Sequence, residues 1–168
     1  MRTLFILLLL QVATCLKSQQ FPDFQLVAIN GDTLSNEYFK NRLVYINVFE
    51  TYCNPCIEEI PVLDSLMKKH PDVLFVAITP ASREKTILFL KKHPIYFTVL
   101  PEAQKLCNRL YANIYPSHII IDKSGNCHNY SIFGTICKDD ASEEANEDAF
   151  RQQVYARFDK LLSEYENK

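Results

Sequence analysis

The sequence predicts an α/β domain, a mixed central sheet with helices on both faces. Three observations predict it. Strand-like and helix-like apolar patterns alternate along the chain. Two strand-like runs, 43–49 and 73–78, are apolar on both faces, as strands covered from both sides must be. The chain closes on a helical stripe, Phe150, Val154, Phe158, Leu161 and Tyr165, which needs a partner layer to bury it.

The elements follow in order. Residues 24–29 read as a strand closed by the turn signal Asn30-Gly31-Asp32. Residues 36–40 fit a short helix, and 43–49 a central, parallel strand. A helical pattern follows, with Ile57, Ile60, Leu63, Leu66 and Met67 on one side. After the strand 73–78, Ser82 caps a helix to 92 with Ile87, Leu88 and Leu90 inward. Residues 96–100 are extended, and 102–112 form a helix carrying Leu106, Cys107, Leu110 and Tyr111. Strands 117–121 and 127–133 are joined by the turn Asp122-Lys123-Ser124-Gly125-Asn126. The last helix spans about 142–165, its acidic start at Glu143, Glu144, Glu147 and Asp148 suiting the helix dipole.

Composition bounds the function. The chain has 168 residues, 48% hydrophobic and 23% charged, which suits one globular domain and excludes a disordered chain or a coiled coil. A net charge of −2 gives no nucleic-acid footprint, so no nucleic acid is expected as a partner. A chain this size can bury a core without staples, so its 6 cysteines need another account.

Residues 1–18 read as a secretory leader: Arg2, the apolar run 4–10, then small residues. The run is too short for a membrane span, which takes about 20 apolar residues. Two processing routes fit: cleavage between Cys15 and Gln19, or lipid attachment at Cys15 through the loose lipobox Val12-Ala13-Thr14-Cys15, in which Thr14 departs from the usual small residue. Either way the expected location is exported and periplasmic, with 19–168 as the domain. Losing Arg2 and Lys17 with the leader takes the 18 basic residues to 16 against 20 acidic ones, a net −4, so no polybasic anchor remains. Export means an oxidising compartment, where thiols stay reduced only if something reduces them.

Tyr52-Cys53-Asn54-Pro55-Cys56 falls between a buried strand and the start of a helix. A helix N-terminus presents unpaired N–H groups and partial positive charge, which stabilise a thiolate. Thiols so placed have pKa values of roughly 3.5 to 7.5. Cys53 is outermost and suits the nucleophile; Cys56, three residues deeper, suits the sulfur that resolves the mixed disulfide. Pro55 fits the first turn, where its missing N–H costs nothing. Glu59 lies three residues past Cys56 on the same helix face, where a carboxylate can take the Cys56 proton. Acidic residues also favour helix N-terminal turns in general, which would account equally for Glu58 and Glu59. A C-x-x-C is also half of a zinc site or a structural disulfide. The only further candidates for a second ligand pair, Cys127-His128 and Cys137, are irregularly spaced.

The segment 47–61, NVFETYCNPCIEEIP, resembles the active-site segment of TlpA/ResA-like thioredoxins, exported thiol–disulfide oxidoreductases, and the resemblance runs from Phe21 to about Tyr165. It implies a thioredoxin fold with an extra N-terminal strand region. It matches Pro61 to the helix-kinking proline of that fold. It implies a cis peptide before Pro116, with Pro116 packed on the cysteine pair and Tyr115 offering backbone groups to the substrate chain. Tyr52 then stands where the family has tryptophan, Asn47 where thioredoxin has a buried aspartate, and Glu59 where ResA-like members place their acid. Glu50 stands where the family often has a small residue. A carboxylate near Cys53 opposes the thiolate, weakly if it faces solvent.

The function so implied is a monomeric enzyme that reduces protein disulfides with the Cys53–Cys56 pair, in a cytochrome c maturation-like role or in general periplasmic thiol reduction. It needs no cofactor or metal and is recharged by a membrane thiol electron donor. The alternatives are a peroxide-reducing redoxin, although no Pro and Thr pattern precedes a lone cysteine, and a metal-binding chaperone of the same fold, although such chaperones usually space their cysteines by three residues.

The remaining candidates read as structural. Cys107 lies on an apolar stripe and suits the core. Cys127 and Cys137, ten positions apart and so about 33 Å when extended, can pair if the chain between them doubles back. His118, two residues past Pro116, is placed to approach the dithiol, but with no identifiable partner it reads as structural; His70, His93 and His128 read as surface or loop residues.

Overall fold

The computed structural model of the chain describes residues 19–131 and 143–167. Two short strands, β1 (Gln19–Gln20) and β2 (Gln25–Val27), lead to β3 (Thr33–Ser35) and helix α1 (Asn36–Phe39). Then come β4 (Val44–Val48), α2 (Asn54–Lys69), β5 (Leu74–Ile78), α3 (Arg83–Leu90), β6 (Thr98–Leu100) and α4 (Gln104–Arg109). The chain continues through β7 (Ser117–Ile121), β8 (Asn126–Ser131) and α5 (Glu143–Glu166). Six strands form one sheet in the order β1-β8-β7-β4-β5-β6, while β2 and β3 pair with each other. The sheet is mixed: β4 runs parallel to β5 and antiparallel to β7. The expected central strand is therefore parallel on one side only; its other neighbour, β7, runs antiparallel to it and continues into β8 through the tight turn at Gly125 (φ 83°).

Strand alternation divides the core in two. Val44, Ile46, Val48, Val76, Ile78, Ile119 and Ile121 meet Phe39, Leu106 and Cys107 on one face. Tyr45, Phe75 and Ile120 meet Leu63 and Leu66 of α2 and Val154, Phe158 and Leu162 of α5 on the other. Beside them Phe49, Cys56, Ile60, Ala77, Phe89 and Val99 form a third cluster, which ties α3 to the base of the cysteine loop.

Several expectations need correction. The strand expected at 24–29 is shorter and pairs with β3, which the turn at Asn30-Gly31-Asp32 folds back onto it. Just beyond it the Ile29 N–H donates to Val99 O at 2.9 Å and so covers the β6 edge. In α3, Thr86 and Phe89 face inward, Ile87 and Leu88 point outward, and Leu88 is 61% exposed. The stacking of Phe89 on Phe49, 5.3 Å between centroids, sets that phase. Tyr111 leaves the helical stripe because α4 ends before it and its backbone turns left-handed (φ 53°), which puts the ring 82% in solvent. On α5, Leu162 is the core residue in place of Leu161. His70 is only 3% exposed; it closes the end of α2 against α5. Its Nδ1 lies 2.8 Å from Glu166 Oε2 and its Nε2 3.0 Å from Asp159 Oδ1, while Lys69 Nζ pairs with the same Asp159 at 2.7 Å.

The leader with Cys15, and Cys137 with the bridge proposed for it, lie outside the described residues. Among the described residues no helix is long and apolar enough to cross a membrane.

Candidate active site

β4 delivers the chain to the site. Its last residues are buried, and Phe49 anchors the loop that follows. The Cys53 N–H donates to Glu50 O at 3.1 Å, and Cys53 then serves as the N-cap of α2, with Asn54 and Pro55 opening the first turn. An N-cap side chain normally accepts from an orphan amide of that turn. Here the acceptor is sulfur: the Cys56 N–H donates to Cys53 Sγ at 3.3 Å. Cys53 and Cys56 form a disulfide, the sole one among the described residues, with Cα atoms 5.3 Å apart. The two sulfurs are unequal in access. Cys53 is half-exposed, whereas Cys56 is 1% exposed inside the third core cluster. Pro61 lies within α2, which continues past it to Lys69.

The Tyr115–Pro116 peptide is cis. Pro116 is buried, and Tyr115 packs against the third core cluster, the one that holds Cys56. Burial pushes the Tyr115 hydroxyl up to about 12, with Cys107, Glu50 and Tyr52 adding to the shift. Tyr52 is 79% exposed, an open aromatic surface next to the half-exposed cysteine. Glu50 does not face solvent. It is buried, and its Oε1 accepts from the Thr51 N–H at 2.8 Å and from Thr51 Oγ1 at 3.2 Å. Cys107 is buried as expected; burial first, then the Glu50 charge, pushes its thiol up to about 12 and keeps it protonated. Burial likewise takes Cys127, half-buried on β8, to about 11. Among the described residues no three His, Cys, Asp or Glu side chains gather as a metal cluster.

Glu59, one turn beyond Cys56, is fully buried. Asn47 Nδ2 donates to its Oε1 at 2.6 Å. Its Oε2 faces His118 Nε2 at 3.4 Å, and neither atom has a hydrogen-bond partner among the described residues. The other ring nitrogen of His118, Nδ1, lies 2.6 Å from the Tyr45 hydroxyl. His118 therefore has the partners that sequence reasoning could not identify. Glu58, by contrast, is half-buried and offers its carbonyl to Arg151. Tyr45 was missed altogether. The signal for the whole group was a polar residue at core positions of two strands, Asn47 in β4 and His118 in β7, which the register places opposite each other.

Fold and sulfur pair together define a thiol–disulfide oxidoreductase of the thioredoxin class. Comparison with known proteins agrees. The chain belongs to the AhpC/TSA family, whose model matches residues 18–129. It is 28% identical over 137 residues to the thioredoxin-like protein YneN of Bacillus subtilis, covering 79% of this chain and 80% of that one. It is 24% identical over 111 residues to a thiol-disulfide oxidoreductase ResA of Bacillus cereus, a match spanning 64% of either chain. In structure it is similar to a secreted Mycobacterium tuberculosis disulfide oxidoreductase homologous to E. coli DsbE, with a TM-score of 0.59 at 19% identity, covering 79% of this chain and 95% of the other. That last likeness speaks for the fold.

Proposed function

We propose that the protein is exported and reduces disulfides of other proteins, with Cys53 as nucleophile, Cys56 as resolving thiol and Glu59 as the acceptor of the Cys56 proton. The observation that carries this reading is the asymmetry at the tip of α2: an accessible sulfur capped by a helix amide, with its partner sealed one turn deeper. The Cys53 thiolate attacks a substrate disulfide and forms a mixed disulfide while the first substrate sulfur leaves. Cys56 gives its proton to Glu59 and attacks Cys53 Sγ. The Cys53–Cys56 disulfide forms, the second substrate sulfur leaves as thiolate, and two electrons have passed to the substrate. Tyr52, Tyr115 and Pro116 border the sulfurs and form the groove for the substrate backbone.

The exported setting rests on the leader at 1–18, with either cleavage near 15–19 or lipid attachment at Cys15. The reducing direction rests on the resemblance to TlpA/ResA-like proteins and on the named activity of the ResA relative. A protein that reduces in an oxidising compartment must be recharged, and a membrane thiol donor supplies that role.

Trapping tests the reading. Cys56→Ser, expressed in the native host, is expected to accumulate mixed disulfides with partner proteins through Cys53, seen as adducts that collapse on addition of dithiothreitol. Cys53→Ser is expected to trap nothing and to lose reduction of insulin disulfides. Full activity in Cys53→Ser rules the assignment out.

A further inference from the structure

The quartet beneath the cysteine pair contains more than a proton acceptor. β4 and β7 run antiparallel with Asn47 opposite His118, so both side chains stand on one sheet face, and Tyr45 joins them two residues along β4. Glu59 meets this face from α2, and Phe158 of α5 closes it, with its ring 4.4 Å from the His118 ring and 5.3 Å from the Tyr45 ring. All five side chains are buried. A dry carboxylate facing one amide is an expensive arrangement unless its other oxygen also finds a donor.

We propose that His118 is a positioning residue for disulfide exchange: its Nε2 stands 3.4 Å from Glu59 Oε2 and supplies the second donor toward the carboxyl that takes the Cys56 proton. The inference rests on the role proposed above for Glu59. The hydrogen-bond inventory supports it. Tyr45 is kept a hydroxyl, because burial first and the Glu59 charge second push its titration well above the usual tyrosine range. A hydroxyl donating to Nδ1 at 2.6 Å leaves the proton of a neutral imidazole on Nε2, the atom that faces Glu59 at 3.4 Å. Asn47 Nδ2 then donates to Oε1, and His118 Nε2 stands 3.4 Å from Oε2 as the second group facing the carboxyl. Among the described residues, the titratable or charged groups acting on the imidazole are Tyr45 from β4, Glu59 from α2 and Arg157 from α5, the last through its effect on Tyr45.

The resolving step can be read alone. A reduced protein treated with 5,5′-dithiobis(2-nitrobenzoate) releases one thionitrobenzoate when Cys53 attacks and a second when Cys56 closes the disulfide. In His118→Phe, which fills the ring volume but lacks the donor, the second phase is expected to slow about tenfold at neutral pH and its midpoint to move up by about one pH unit. The first phase should stay unchanged. His118→Gln, which restores an N–H donor, should recover part of the rate. Tyr45→Phe, which loses only the hydroxyl, should shift the midpoint in the same direction by less; it keeps the test open if the His118 variants do not fold. A second-phase pH profile unchanged in Tyr45→Phe and in whichever His118 variants fold overturns the inference. Glu59→Gln separates the two readings. If it slows the second phase and the His118 and Tyr45 variants do not, Glu59 acts without His118. If Glu59→Gln leaves that phase untouched, the role of Glu59 itself fails.

Discussion

Two buried histidines mark the two ends of the packing of α2, and they are satisfied in opposite ways. At the C-terminal end, each ring nitrogen of His70 meets a carboxylate, Asp159 or Glu166, and both acids are half-buried, with water on one side. Lys69 adds a cation to the same Asp159. The cluster ties the end of α2 to α5. At the N-terminal end, His118 and Glu59 are both dry, and the gap between them is 3.4 Å with no other partner for the two facing atoms among the described residues. The first arrangement is what a fold uses to fasten two helices. The second is a poor fastening, since burying a carboxylate costs several kcal/mol before pairing returns any of it. A group kept under that strain beside a disulfide is best understood through chemistry.

Substitutions sharpen the contrast. The largest effect is expected from Glu59→Gln. It should slow closure of the Cys53–Cys56 disulfide by about a hundredfold, while thermal denaturation shows unchanged or raised stability. A large loss of stability with unchanged closure would make Glu59 a fastening like the other end. His70→Ala should do the reverse: about 1.5–3 kcal/mol of stability lost in chemical denaturation, with insulin reduction at the normal rate. The smallest effect belongs to Asp159. Hydrogen bonding to Lys69 is the main reason its carboxyl lies below the ordinary carboxylate range. An acid whose folded value is depressed stabilises the fold above its unfolded value, about 3.9. That contribution is lost as pH falls through the lower folded value. Solvent screens the pair and keeps the contribution small. Asp159→Asn should therefore lose a little stability near neutrality and converge with the parent chain in acid, as denaturation across a pH series would show. A gap between the two that persists undiminished at the acid end would count against the charge as its cause.

The same contrast shows what was legible in the sequence. The strands 44–48 and 74–78 and the helix from 54 onward stood out because a doubly apolar run, or a cysteine pair ahead of a helical stripe, has a strong local pattern. The cysteine pair at the start of a helix was legible from its local pattern, and the cis peptide before Pro116 through resemblance. Partners across the sheet were not. His118 had no identifiable partner because its partners lie 59 and 73 positions away in the chain, at Glu59 and Tyr45, and only the β4–β7 register joins them. His70 was misread for the same reason: the acids that bury it come from α5, more than 80 residues later. Apolar character alone points Ile87 and Leu88 inward but does not give the phase of a short helix; the stack of Phe89 on Phe49 does. The short strands β1 and β3 carry no periodicity long enough to read.

The central claim is that the two sulfurs at the tip of α2 differ in access. Limited alkylation of the fully reduced protein tests it most directly. Brief treatment with substoichiometric iodoacetamide at neutral pH, followed by peptide mass mapping, should place nearly all the label on Cys53 and almost none on Cys56 or Cys107. Label spread equally over Cys53 and Cys56, or found first on Cys56, would contradict the account.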